Sequence, residues 1–154
     1  MDKKVVIVGG GFAGIAAAKK LADVAGIHVT LISNQTHFEY YPAIYRVLSG
    51  WSPAGVCIPY DEIFDGTNVE VVQDKIISWE SGGKKLIGES GSHYLYDFTI
   101  LAFGSETVFF GVEGMSEFAY SFKSISEALR IKNHLHELFQ THSHPSVVDE
   151  KKDL

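Results

Sequence analysis

Residues 3–20 read KKVVIVGGGFAGIAAAKK, and two structures compete for this stretch. Two lysines ahead of an apolar run open an export signal, which needs an apolar segment followed by a small-residue cleavage site. The other structure is a strand, a glycine turn and a helix. The glycines separate the two. Gly9, Gly10, Gly11 and Gly14 fall inside the supposed apolar segment, where they weaken a helix, and the helical pattern runs on through Lys19, Lys20, Leu21 and Ala22 with no break for cleavage. The strand reading accounts for them by position. Val5 to Val8 is a β-branched run of the kind buried on both faces of a parallel sheet. Gly9-x-Gly11-x-x-Gly14 follows at once, and an alanine-rich helix is expected from about Phe12 to Val24.

That spacing carries chemistry. Gly9 permits the tight turn, Gly11 lets the backbone approach a pyrophosphate, and Gly14 lets helix and strand pack closely. The helix N-terminus adds N–H groups and a partial positive charge. A second strand, His28 to Ile32, begins about 20 residues after the first glycine, which completes the context of a dinucleotide-binding βαβ unit. Such a strand usually ends in Asp or Glu, which accepts hydrogen bonds from the adenosine ribose. Residues 29–37 read VTLISNQTH, with Ser33 in that place. Serine makes one such bond without charge assistance, so reduced affinity is expected. No arginine stands beside it to receive a 2′-phosphate, so a preference for NADP is not expected.

The totals bound the remaining possibilities. A chain of 154 residues, 45% hydrophobic and 21% charged, suffices for one domain with a core. Its net charge of −6, with lysines scattered in pairs at 3–4, 19–20, 84–85 and 151–152, lacks the basic stripe of a nucleic-acid binder. Cys57 is the single cysteine; this excludes an internal disulfide, suits a reducing compartment, and reads as a buried or spectator thiol rather than a redox nucleophile. No uninterrupted apolar run reaches the roughly 18 residues that a membrane span requires.

Further along, residues 37–50 read HFEYYPAIYRVLSG, where Pro42 is placed to open a short helix carrying Ile44, Tyr45, Val47 and Leu48 before Gly50 ends it. Phe38, Tyr40, Tyr41 and Tyr45 suit either the wall of a flat ring system or a packed helix–sheet contact, and residue type does not choose between them. Residues 69–79, 84–89 and 92–97 are expected as strands joined by hairpins at Ser81-Gly82-Gly83 and Ser90-Gly91, an antiparallel meander inserted into the βα alternation. Thr99 to Phe103 is expected as another buried strand, with Gly104 allowing close backbone approach. Ser124-Ile-Ser-Glu127 has capping-box spacing and predicts a helix over 124–140 with Ile125, Ala128, Leu129, Leu135, Leu138 and Phe139 facing a core. From His142 the chain is polar and aperiodic, so 142–154 is expected to be a linker or disordered tail. His134, His136, His142 and His144 complete no recognisable ligand set, and a solvated role is expected rather than metal binding. There is no G-x-S-x-G elbow and no internal repeat.

These readings give an α/β chain over 1–141 with a Rossmann-like dinucleotide-binding fold, a parallel sheet and an inserted antiparallel meander; resemblance to a known family makes it an FAD/NAD(P)-binding fold that is incomplete on its C-terminal side. Four segments, VVIVGGGFAGIAAAKKL, VTLISNQTHFEYYPAIYRV, LAFGSET and FKSISEALRIKNHL, resemble the N-terminal part of the type II NADH dehydrogenases. These are single-chain NADH:quinone oxidoreductases of the pyridine-nucleotide–disulfide oxidoreductase superfamily. The resemblance runs to about residue 141 and implies that this segment binds FAD. By resemblance, Gly9, Gly10, Gly11, Phe12, Ala13 and Gly14 hold the pyrophosphate, Ser33 meets the adenosine ribose, and backbone around Lys75 and Ile76 meets the adenine. Ala102, Gly104 and Ser105 approach the flavin, while Pro42 and Tyr45 lie towards its isoalloxazine ring. It assigns no catalytic side chain to this stretch; the family's hydride passes from NADH to the flavin, whose electrons go on to quinone.

Departures from the family pattern are Ser33, Phe103 where threonine or leucine is more familiar, and a chain that stops at Leu154, about where a second glycine-rich unit for NADH begins. Its last residues, VVDEKKDL, resemble the linker into that unit. The resemblance therefore implies little or no turnover by this chain alone, an unpaired sheet edge, and exposed apolar surface at Phe109, Phe110, Phe118, Tyr120 and Phe122 that allows a homodimer. It also implies a cytoplasmic protein whose family contacts the membrane peripherally, through a region outside this chain. Two other expectations stand beside it. One is a sulfide:quinone oxidoreductase relative, whose chemistry calls for redox cysteines. The other is a non-catalytic nucleotide-binding or interaction module.

Overall fold

The computed structural model describes residues 2–142. In chain order its strands are β1 (Lys3–Val8), β2 (Ile27–Ser33), β3 (His37–Glu39), β4 (Cys57–Pro59), β5 (Val69–Gln73), β6 (Ile76–Glu80), β7 (Lys85–Gly88), β8 (His93–Leu95) and β9 (Phe98–Leu101). The α-helices are α1 (Phe12–Leu21), α2 (Tyr45–Leu48), α3 (Tyr60–Ile63), α4 (Met115–Phe118) and α5 (Ile125–His142). Two compact units emerge. One runs to Phe38 and resumes over Cys57–Glu106; the other takes Glu39–Val56 and the chain from Thr107.

The first unit is built on a four-stranded sheet in the order β5-β2-β1-β9. Every pair is parallel: Val5 lies opposite Val29 and Phe98, and Val29 opposite Val69. Because successive strand residues point to opposite faces, the apolar run of β1 supplies both. Val5 and Ile7 pack with Val29, Leu31, Ala18 of α1, Phe38, Tyr60 and Phe64; Val6 and Val8 pack with Ile32 and with Leu86 of β7. Ile7, Leu31 and Leu86 are completely buried, each contributing about 1.5–3 kcal/mol. The buried strand read from Val5 to Val8 is thus the centre of the core.

Several boundaries differ from the sequence reading. Helix α1 ends at Leu21 rather than Val24, because the chain tightens there: Val24 N–H bonds the Leu21 carbonyl at 3.2 Å, and Gly26, at φ +77°, turns into β2. The single strand expected over 69–79 is two strands. Asp74 N–H still bonds the Ser33 carbonyl at 2.9 Å, but the Asp74 carboxylate takes the next N–H, that of Lys75, at 2.7 Å, and the chain leaves the parallel sheet. Then β6, β7 and β8 form an antiparallel sheet, with an irregularity between Ile76 and Ser78. Strand β9 ends at Leu101, although Ala102 N–H continues the ladder to the Val8 carbonyl at 2.8 Å.

In the second unit, Tyr41–Ala43 forms one 3-10 turn with Pro42 inside it, and α2 follows, burying Ile44 and Val47. Helix α5 is capped at Ser124, whose hydroxyl accepts the Glu127 N–H at 3.2 Å. The Glu127 carboxylate reaches back to Lys123 N–H at 2.6 Å and to the Ser121 hydroxyl. Those bonds, that from Ser121 foremost, hold its carboxyl below the usual range. Only the start of the expected core face is covered: Ile125 and Ala128 are buried, whereas Leu135, Leu138 and Phe139 are exposed. Of the five residues expected on exposed apolar surface, Phe110, Phe118, Tyr120 and Phe122 are exposed, Phe110 at 90%. Phe109 is half-buried. No described helix is long and apolar enough to cross a membrane. The tail expected over 142–154 lies, but for His142, outside the described residues.

Candidate functional site

The glycine turn between β1 and α1 is shaped by contacts that exclude a side chain at three of its glycines and leave room for one at the fourth. Gly9 has φ +109°, and a Cβ there would stand 2.1 Å from the Ala102 carbonyl oxygen. A Cβ on Gly14 would stand 1.8 Å from the Gly9 carbonyl oxygen, and one on Gly10 would stand 1.9 Å from the Tyr60 hydroxyl. A Cβ on Gly11, by contrast, would meet nothing within 4 Å outside its own stretch of chain. Gly11 is also the N-cap of α1, with extended backbone and no side-chain cap, and the first turn, including Phe12 and Ala13, carries no acidic residue. A helix start without intrahelical partners for its first N–H groups, facing open space, suits an anion.

Beneath the turn runs a directional chain of hydrogen bonds. A carbonyl can only accept, so the Tyr60 hydroxyl donates its hydrogen to the Gly10 carbonyl, at 3.0 Å. The Ser33 hydroxyl, 3.0 Å from the Tyr60 oxygen, then donates to it, and Ser33 in turn accepts the Gln35 N–H at 3.2 Å. This brace holds the Gly10 carbonyl towards the interior, where its negative end does not oppose an anion bound outside. Ser33 and Tyr60 are both buried. Sequence reading missed Tyr60 altogether: it is 50 positions from Gly10, in a segment with no recognisable motif.

Beyond the C-terminal ends of β2 and β5 lies an open cleft of about 440 Å³, lined by Asn34, Gln73, Asp74, Lys75, Glu89 and Ser90. Asp74, buried among its neighbours, is one of these. Its carboxylate accepts from the Ser90 hydroxyl at 2.6 Å, the Tyr94 hydroxyl at 2.7 Å, and the N–H groups of Lys75 and Ser90. Those bonds, the Ser90 and Tyr94 hydroxyls first, hold its carboxyl down to about 2. Burial, followed by the bond to Asp74, pushes the Tyr94 phenol up. Lys75, whose backbone the resemblance implied for the adenine, lines the cleft, and its peptide groups are engaged: N–H with Asp74, carbonyl with Glu89 N–H at 2.8 Å. Its ammonium pairs with Glu89 at 3.3 Å. Ile76 packs against the core cluster of Val6, Val8, Ile32 and Leu86.

The first unit thus brings together Gly9 to Gly14, Ser33, Lys75, Ile76, Ala102, Gly104 and Ser105. Gly104, at φ +76°, and Ser105 are exposed. Pro42 and Tyr45 belong to the second unit and are exposed there, as are Tyr40 and Tyr41. Phe38 is different: it is buried, edge-on to Phe12 at 4.8 Å between ring centroids. The aromatic cluster therefore divides into one packing residue and three exposed tyrosines. Cys57 is half-buried. His134 stacks on Tyr120, His136 meets Gln140, and His142 meets the Leu138 carbonyl, while His144 lies outside the described residues.

A parallel sheet, a glycine turn opening onto a helix start, and a cleft at the strand ends define a dinucleotide-binding α/β protein. The chain belongs to the pyridine nucleotide-disulphide oxidoreductase family, whose sequence model matches residues 3–148. It is similar to the type II NADH:quinone oxidoreductase Ndh of Mycobacterium tuberculosis, 32% identical over 142 residues, which cover 89% of this chain and 30% of that protein. The sulfide-quinone reductase of Aquifex aeolicus is similar to nearly the same degree, 31% over 141 residues, covering 90% and 33%. Among solved structures, NDH2 from Plasmodium falciparum in complex with NADH superimposes with a TM-score of 0.79 at 23% identity, over 95% of this chain and 31% of that one. The chain spans about a third of the length of the curated relatives it matches.

Proposed function

We propose that this chain is the FAD-binding part of a flavoprotein oxidoreductase that, within a longer protein, passes electrons from NADH to quinone. The observation carrying this reading is the open space at Gly11, set against the start of α1 and framed by glycines that cannot accept a side chain. In this reading Gly9 to Gly14, with Phe12 and Ala13, receive the pyrophosphate, and the cleft beyond β2 and β5 receives the adenosine. Ala102, Gly104 and Ser105 stand on the flavin side, and Pro42 and Tyr45 serve the isoalloxazine ring. When bound, the flavin supplies acceptance of a hydride and onward electron transfer; the protein binds and orients it. No side chain of the stretch is assigned a catalytic role. Lone Cys57 suits a reducing, cytoplasmic setting, and membrane contact is peripheral and made elsewhere in the longer protein.

Sulfide as the electron donor is the second reading, favoured by the similarity to the sulfide-quinone reductase. That chemistry calls for a pair of redox cysteines, to which this stretch contributes at most Cys57.

The test is a visible absorption spectrum of the purified chain after incubation with FAD and desalting. A retained flavin band is expected; its absence would overturn the reading. The loaded chain is expected to show little or no NADH:quinone turnover, and robust turnover would refute the assignment of activity to the longer protein.

A further inference from the structure

The position that ends β2 does not present its hydroxyl to the cleft. Ser33 has one hydroxyl hydrogen, and the direction of the Gln35–Ser33–Tyr60–Gly10 chain assigns it to the Tyr60 oxygen. Its side chain is buried, and its oxygen lies 2.9 Å from where a Cβ on Gly10 would be, inside the turn. The next residue, Asn34, is exposed and lines the cleft. Of the other lining side chains, Asp74 is filled by four hydrogen bonds, Ser90 engages Asp74 and Ser92, and Lys75 and Glu89 hold each other; Gln73, the other exposed amide, ends β5, one strand further from the glycine turn than β2.

Resting on the nucleotide-binding reading above, we infer that Asn34, and not Ser33, reads the hydroxyls of the adenosine ribose, while Ser33 is a positioning residue that braces the glycine turn through Tyr60. The chemistry differs from that of a carboxylate in this role. A carboxylate accepts from both hydroxyls of a vicinal diol with charge assistance. The Asn34 amide accepts from one through its oxygen and donates to the other through its nitrogen. Recognition is therefore neutral and weaker, but it still distinguishes a diol from a ribose lacking one hydroxyl.

The experiment is isothermal titration of the purified chain with ADP and with 2′-deoxy-ADP. Both ligands are measured on the same protein, so a general loss of fold or turn geometry cancels in their ratio. The wild type is expected to prefer ADP by about three- to tenfold, the worth of one neutral hydrogen bond. Asn34→Ala is expected to bring the ratio to about one, whereas Ser33→Ala weakens both ligands together and leaves the ratio in place. A ratio that survives Asn34→Ala, or is lost in Ser33→Ala, overturns the assignment while leaving the nucleotide site intact. Equal binding of both ligands by the wild type overturns it too. No binding of ADP by the wild type overturns the nucleotide-binding reading and this assignment with it.

Discussion

Strands β1 and β9 lie side by side, in register, with Val5 opposite Phe98 and Val8 opposite Leu101, and their sequences, VVIV and FTIL, are both largely apolar. Their fates differ. All four residues of the β1 run are buried, whereas Phe98 is 61% exposed and Ile100 36%. The reason is coverage. β1 has a strand on each side, helix α1 with Tyr60 and Phe64 against one face, and Leu86 of the meander against the other. β9 has β1 on one side, and among the described residues the sheet order ends with it. An apolar strand declares that it is made to be covered; it does not declare what covers it.

The difference can be tested by truncation. Ile7→Ala is expected to lower unfolding free energy by about 3–4 kcal/mol, and Ile100→Ala by about 1 or less, in urea denaturation. Equal losses would erase the distinction. Next in size is the fastening of the meander that covers β1. Asp74→Asn is expected to cost about 1–3 kcal/mol at neutral pH, the worth of its charged hydrogen bonds. The carboxyl lies at about 2 in the folded chain against an ordinary 3.8, so its contribution is complete above pH 3.8 and is lost as the pH falls towards 2. The asparagine variant should show a flatter stability profile across that window; an unchanged profile would remove Asp74 from its role. The smallest effect belongs to β9. Phe98→Lys should change stability by no more than about 0.5 kcal/mol in the same urea denaturation. A large loss of stability there would mean that the core holds β9 as firmly as it holds β1.

The glycine turn was legible because its requirements are local: a positive φ at Gly9 and close packing at Gly14 leave their mark on the residues themselves. The Tyr60 brace was not, because a single tyrosine far along the chain announces nothing until the fold brings it beneath Gly10. The break at Asp74 was hidden between the β-branched pairs Val71-Val72 and Ile76-Ile77, and its partners, Ser90 and Tyr94, lie 16 and 20 residues away. Helix α5 shows the complementary limit. Periodicity announced an apolar face through Phe139, but periodicity states which residues share a face, not how far a neighbour extends along it. At the strand end, the place usually filled by Asp or Glu was found from the sequence, yet the side chain in it turns inward, a matter of hydrogen-bond direction that no spacing encodes.

The contact between Gly9 and the Ala102 carbonyl has a genetic consequence. Every replacement of glycine, whichever codon change produces it, adds at least a Cβ, and here that atom has 2.1 Å where ordinary contact needs well over 3. Position 9 therefore has no conservative neighbour in sequence space. In a library of all substitutions it should tolerate synonymous changes and little else, even though the residue contributes no side chain of its own.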